Sequence, residues 1–196
     1  MSGVLYLASK SPRRRELLGQ LGIAHVVLEI EIPEAREPGE PALDYVQRVA
    51  REKAEAGWNR VGHQAFARVL AADTEVILDD EVFGKPRDAL DAAAMLRRLS
   101  GRRHQAVSAI CLADAQGSRE ALCITEVEFD TLDEARIHAY IDSGECFGKA
   151  GAYAIQGRAA AFIRRIEGSY SGVMGLPLYE LAKLLADPDP RLAGHG

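Results

Sequence analysis

The stretch Val4-Leu5-Tyr6-Leu7-Ala8-Ser9-Lys10-Ser11-Pro12-Arg13-Arg14-Arg15-Glu16-Leu17-Leu18-Gly19-Gln20-Leu21-Gly22 decides the fold class. Its apolar start predicts a strand. Ser11 then suits a helix N-cap and Pro12 the first helical position, while Leu17, Leu18 and Leu21 supply an apolar stripe and Gly22 a stop. A strand that turns directly into a helix is the building unit of α/β proteins. Downstream, the pattern predicts a strand over 25–28, an acidic loop over 29–40 and a helix over 41–57, with Leu43, Val46, Val49, Ala50 and Ala54 on its buried side. Strand character at 68–72 and 75–78 is expected to break at Asp73-Thr74 and to close in an Asp79-Asp80-Glu81 turn. A helix capped by Asp88 runs to Leu99, and runs at 105–113 and 121–129 form an antiparallel hairpin. Thr131-Leu132-Asp133-Glu134 reads as a capping box opening a helix to Ile141. A glycine-rich loop over 144–157, a β-like run over 159–166 and a helix from Pro177 to Leu185 follow, with a polar tail at 187–196 expected to fray. This order of elements implies an α/β fold with a mixed sheet. It contains neither a G-x-G-x-x-G after the first strand nor a G-x-x-x-x-G-K-[ST] loop, which sets aside dinucleotide and P-loop chemistry.

Composition narrows the class. The chain has 196 residues, 24 Lys+Arg against 29 Asp+Glu for a formal charge of −5, and 47% hydrophobic residues. One domain, or two small lobes, can bury roughly 70% of its unfolded surface at this size, so neither disulfide nor metal is needed for folding. The acidic balance argues against nucleic acid or an anionic membrane as the main partner. No apolar run approaches the roughly 20 residues of a membrane span, and no basic n-region precedes the first apolar run, so a cytoplasmic protein is expected. Cys111, Cys123 and Cys146 are odd in number and lack C-x-x-C spacing; Cys111 and Cys123 read as small core residues.

Several positions carry chemistry. Ser9 to Arg15 places hydroxyls and three arginines at a helix start, where backbone N–H groups already favour an anion. Helical spacing allows only one or two of the arginines to reach one ligand. Lys53 shares the side of its helix with Val46 and Ala50 at about 100° per residue, so its ammonium either snorkels out or meets an anion. Asp73, read as ending a central strand, is placed to hold Mg²⁺ or accept a proton from water, or simply to cap a turn. Glu34 can join it, but Glu31, Glu37 and Glu40 are equally acidic neighbours. Lys85 lies in a Gly-Lys-Pro loop, and Gln156 offers both donor and acceptor for the edge of a nucleobase. His104 reads as structural, and Ser169-Tyr170-Ser171 as either a phosphate-contacting turn or a cap.

Leu7-Ala8-Ser9-x-Ser11-Pro12-Arg13-Arg14-x-Glu16-Leu17-Leu18, Ala72-Asp73-Thr74, Gly84-Lys85-Pro86, Leu99-Ser100-Gly101, Ala150-Gly151-Ala152-Tyr153-x-Ile155-Gln156-Gly157 and Gly168-Ser169-Tyr170-x-x-Val173-x-Gly175-Leu176-Pro177-Leu178 resemble the Maf family of nucleoside triphosphate pyrophosphatases, in register over about 4–185. The resemblance implies an elongated, two-lobed fold related to inosine triphosphate pyrophosphatases, with one catalytic domain over 1–186 around a cleft. It also implies hydrolysis of a nucleoside triphosphate to monophosphate and pyrophosphate with Mg²⁺ or Mn²⁺. By position, Asp73 matches the family's catalytic proton acceptor, and Ser9, Arg13, Arg14, Glu34, Lys53, Lys85 and Gln156 its polar site, with Glu34 and Asp73 as the metal side. Arg13, Thr74 and Gln156 resemble the dTTP/UTP branch, since the 7-methyl-GTP branch carries Trp, Gln and Glu there. Gly148 and Gly172 depart from the family's usual Asp and Asn. The implied partner is a small nucleotide, with a homodimer as the assembly; the rivals are a 7-methyl-GTP or inosine triphosphate pyrophosphatase and a septum-related regulatory binding protein.

Overall fold

In the computed structural model, which describes residues 3–186, the expected break at Asp73-Thr74 does not exist. Residues Arg68–Leu78 form one strand of 11 residues, β3 in the element order, so Asp73 is mid-strand rather than at a strand end. The reason is its neighbour. Strand β5 (Arg103–Asp114) pairs antiparallel with β3 from Val69↔Ala113 to Ile77↔Gln105, and this unbroken ladder fixes the polar residues in extended conformation. On its other side β3 is only partly covered. The short strand β1 (Leu5–Leu7) pairs parallel with Arg68 to Leu70, and β4 (Glu81–Phe83) pairs antiparallel with Val76 to Leu78. Between these two partners, residues 71–75 form an open edge inside an otherwise paired sheet. β2 (His25–Val27) extends the sheet beyond β1, while β6 (Gly117–Phe129) and β7 (Ile163–Glu167) extend it beyond β5, giving the order β2-β1-β3-β5-β6-β7 with β4 alongside β3. The sheet is therefore mixed, and the fold class is α/β as the sequence implies.

Alternation along β3 divides the core between the two faces. Val69, Ala71 and Ile77 pack with Val46, Val49, Ala50 and Ala54 of helix α2 (Ala42–Val61). Leu70, Ala72, Val76 and Leu78 face α1 (Pro12–Gln20) and α3 (Ala89–Leu99), represented by Leu17, Leu18, Leu96 and Leu99. Helix α2 runs beyond the expected stop at Gly57 because that glycine is a packing contact: a Cβ there would lie 2.7 Å from Val69 Cγ1. The stop is Gly62 instead, whose N–H bonds the Trp58 carbonyl at 2.7 Å. Leu43, expected on the buried side of α2, is only half-buried.

Two further expectations are corrected, and one open alternative is resolved. Helix α4 (Glu134–Asp142) is capped by Asp133, which accepts from the Arg136 N–H, and not by Thr131. Its Glu134 is drawn away to Arg97 at 2.7 Å, so the box cannot close. The β-like run is strand only from Ile163; Arg158–Phe162 is a 3-10 turn. Helix α5 (Tyr170–Met174), with Ser169 as its cap accepting from the Gly172 N–H, precedes the last helix, α6 (Leu178–Ala186). Ser169 is thus a cap residue. All three cysteines are buried and free. The expected fraying tail at 187–196 lies outside the described residues.

Candidate active site

The open edge of β3 is the floor of a cleft of about 800 Å³. Because the edge is unpaired there, side chains from both sheet faces reach the same space: Asp73 and Glu75 on the α2 side, Thr74 on the other. The turn after β1 and the first turn of α1 form one wall with Ser9, Ser11, Arg13 and Arg14; the acidic loop brings Glu34, the β4 turn Lys85, and the glycine-rich segment Lys149, Tyr153 and Gln156. Every site residue expected from the sequence therefore lines one cleft.

On the α2 side, Lys53 does not snorkel. It is 8% exposed, and its ammonium lies 2.8 Å from Asp73 Oδ1 and 2.7 Å from Glu34 Oε1. Glu34 Oε2 lies 3.5 Å from the Lys85 ammonium. This sets Glu34 apart from its acidic neighbours, a choice that composition alone left open and the family resemblance implied. Burial alone would raise the Glu34 carboxyl, but Lys53 and Lys85 outweigh it and hold it below the ordinary carboxylate range. Asp73 is 4% exposed, and its Oδ2 is buried without a hydrogen-bond partner. A buried carboxylate oxygen of this kind can accept a hydrogen bond or a hard cation.

On the opposite face, Arg14 is held by three hydrogen bonds. Its guanidinium donates to the Gly175 carbonyl at 2.8 Å, Ser9 Oγ at 3.1 Å and Thr74 Oγ1 at 3.3 Å. Thr74 Oγ1 is also 2.7 Å from Ser108 Oγ, which donates to the Gly172 carbonyl at 2.7 Å. Arg14 and Thr74 thus tie α1, β3 and β5 to α5. Arg13 is different: among the described residues no hydrogen bond or ion pair reaches it, its Nε is buried without a partner, and burial lowers its pKa. Ser11 caps α1 by position only. Its side chain makes no cap hydrogen bond, so the first N–H groups of the helix remain available to a ligand.

The model for the Maf-like protein family matches residues 4–188. The chain belongs to the Maf-like family. Its relatives include a nucleoside triphosphate pyrophosphatase of Xylella fastidiosa strain M23, 54% identical over 93% of this chain and 97% of that protein. A dTTP/UTP pyrophosphatase of Xanthomonas euvesicatoria pv. vesicatoria strain 85-10 is 56% identical over the same shares. Among solved structures, a dITP/XTP pyrophosphatase from Mycobacterium abscessus overlaps at TM-score 0.41 and 20% identity, covering 65% of this chain and 75% of that one. The Staphylococcus aureus Ham1 protein overlaps at TM-score 0.45 and 12% identity, covering 64% and 71%. Neither overlap is close enough to carry an argument.

Two departures in this Maf-like chain have local explanations. Gly172 sits against Cys123, where a Cβ would lie 3.0 Å from the sulfur, so the usual Asn would need that neighbour to give way. Gly148 has φ +69°, a left-handed conformation at the cleft wall that glycine adopts without strain. Two cleft residues, Glu75 and Lys149, escape sequence reasoning, and Tyr153 enters it only as part of a motif. Glu75 is 8% exposed, and burial, with the Asp73 charge adding to it, pushes its carboxyl up to about 8. The signal for it was available: it stands two residues after Asp73, on the same strand face. Lys149, whose pKa is lowered by burial and by nearby Arg13, and Tyr153, bonded through its hydroxyl to His104 at 2.9 Å, belong to a loop whose path no periodicity reveals. Among the described residues no group of three or more His, Cys, Asp or Glu is gathered that could hold a metal ion by itself. An ion here would have to take further ligands from water or substrate, as Mg²⁺ commonly does.

Proposed function

We propose that this Maf-like protein hydrolyses dTTP and UTP to the monophosphate and pyrophosphate, acting within one catalytic domain as a cytoplasmic enzyme of nucleotide-pool housecleaning. The observation that carries the reading is Asp73 Oδ2: an unpartnered carboxylate oxygen buried in a cleft whose other walls carry Arg13, Lys85 and Lys149. The names of the Xanthomonas and Xylella relatives supply the substrate class. In this reading Arg13, Lys85 and the free N–H groups at the start of α1 bind the phosphates, and Lys53 keeps the Asp73 and Glu34 carboxylates in register. Water attacks the α-phosphorus, Asp73 takes its proton, the bond from that phosphorus to the bridging oxygen breaks, and pyrophosphate leaves. The orphaned oxygen of Asp73 and the hard oxygen donors around it fit a divalent cation such as Mg²⁺ or Mn²⁺, with Asp73 and Glu34 as its protein ligands. Once bound, such an ion withdraws charge from the phosphate oxygens. Arg13, half-buried, and Gln156, exposed, both line the cleft and face the nucleotide; Thr74 acts through Arg14, which donates to it.

Asp73→Asn is expected to slow pyrophosphate release by roughly 10²- to 10⁴-fold, the usual worth of a general base, while nucleotide binding by calorimetry persists. Near-normal turnover would remove Asp73 as the base. Pyrophosphate release from dTTP, UTP, 7-methyl-GTP and inosine triphosphate, compared side by side, tests the branch. Turnover with none of the four would favour the regulatory binding role over catalysis. The same reading carries a homodimer, which light scattering after size-exclusion chromatography tests.

A further inference from the structure

The cleft holds an acidic group that the proposed mechanism leaves unused. Asp73 and Glu75 stand two residues apart on one face of β3, roughly 6–7 Å along the strand, within the unpaired edge segment. The remaining positions of that face, Val69, Ala71 and Ile77, are apolar core. Glu75 is 8% exposed, lines the cleft, and has its Oε2 buried with no hydrogen-bond partner; Asp73 Oδ2 is in the same condition. Among the described residues no ion pair reaches Glu75, and the neighbouring ammonium of Lys53 is already taken by Asp73 and Glu34. Burying an ionised carboxylate with no partner costs several kcal/mol, so this acid either stays protonated in the empty cleft or takes a cation beside it. A triphosphate entering the cleft makes matters worse, because it adds negative charge in front of both acids. A hard cation between the acids and the phosphates relieves both problems.

We propose that Glu75 is a ligand of the divalent cation, forming with Asp73 a two-carboxylate cradle on the open edge of β3. This rests on the cation-assisted pyrophosphatase reading and shifts its second protein ligand from Glu34, whose two oxygens face Lys53 and Lys85, to Glu75. Two carboxylates with phosphate and water oxygens make up the donor set that Mg²⁺ and Mn²⁺ commonly accept.

The test is Mn²⁺ binding to the nucleotide-free protein, followed by electron paramagnetic resonance and by the rise in melting temperature on adding Mn²⁺. Glu75→Gln preserves shape and removes the charge; Glu75→Asp keeps the charge on a shorter arm. Glu75→Gln is expected to weaken Mn²⁺ binding at least roughly tenfold, the lower end of what even outer-shell partners of a metal are worth. It should also leave the metal-free protein at least as stable as the wild type while removing most of the Mn²⁺-induced rise in melting temperature, with Glu75→Asp intermediate. A structural role predicts the reverse: a lower melting temperature without metal and an intact Mn²⁺ response. That result, or an unchanged Mn²⁺ affinity in Glu75→Gln while the wild type hydrolyses dTTP, overturns the inference alone. A wild type that neither binds Mn²⁺ nor releases pyrophosphate overturns the underlying reading with it.

Discussion

Arg13 and Arg14 are adjacent in sequence and do opposite work. Arg14 spends its donors inside the fold, on Ser9, Thr74 and Gly175, whereas Arg13 reaches the cleft with no hydrogen bond or ion pair among the described residues. Helical spacing separates their side chains by about 100°; both line the cleft, and in the proposed function Arg13 meets the ligand while Arg14 braces the wall. Arg13→Ala is therefore expected to change the free energy of unfolding in urea by about 1 kcal/mol or less while raising KM for dTTP. Arg14→Ala, by contrast, loses charged hydrogen bonds worth about 2 kcal/mol and lowers both stability and kcat. Equal destabilisation by the two substitutions would contradict this division. The cluster of three arginines suggested an anion site in the sequence, but which guanidinium would be left without a partner inside the fold was not legible there. Lys53 teaches the same lesson: periodicity placed it on the buried side, and only the meeting of Glu34 and Asp73 across the cleft explains why it stays there.

At the scale of elements, the errors of sequence reading share one origin. Local signals compete, and long-range partners choose between them. Asp73-Thr74 looks like a turn by composition, yet the ladder to β5 keeps it in the strand. Thr131 satisfies a capping-box pattern, yet Asp133 is the residue whose side chain accepts the helix N–H, and Thr131 packs near Gly101 at the end of α3. Asp133→Ala is accordingly expected to cost about 1 kcal/mol, read from the urea midpoint. Thr131→Ala should stay within about 0.5 kcal/mol of the wild type. The reverse ranking would return the cap to Thr131. Helix α2 shows the converse case, in which a glycine that resembles a stop is a close contact with β3.

At the scale of the molecule, the rear of the cleft is braced by His104, which is 2% exposed and bonded through Nε2 to the Tyr153 hydroxyl. Its ring also meets Phe129 and Tyr153 edge-on, so the structural reading of this histidine holds. Burial lowers its pKa from 6.5 to about 4. Between those values the unfolded chain binds a proton that the native protein refuses, so stability rises with pH across the window and falls on acidification. The contribution is complete above pH 6.5 and lost as pH falls through about 4, with each unit worth about 1.4 kcal/mol. Urea unfolding at pH 7 and pH 5 should show a smaller acid loss in His104→Gln than in the wild type; equal losses would assign the titration elsewhere. The overall charge of −5 is compatible with a polyanion site because Arg13, Lys85 and Lys149 converge on one cleft. The sequence by itself determined the α/β class, most of the longer elements through periodicity and turn chemistry, and the identity of most cleft residues through motifs that resemble the Maf family. Only the tertiary structure decided that β3 runs unbroken with an open edge, that Lys53 is held between Glu34 and Asp73, and that Glu75 stands beside them. Those facts depend on which strands stop short beside β3, and the pairing of distant segments is not written in any local pattern.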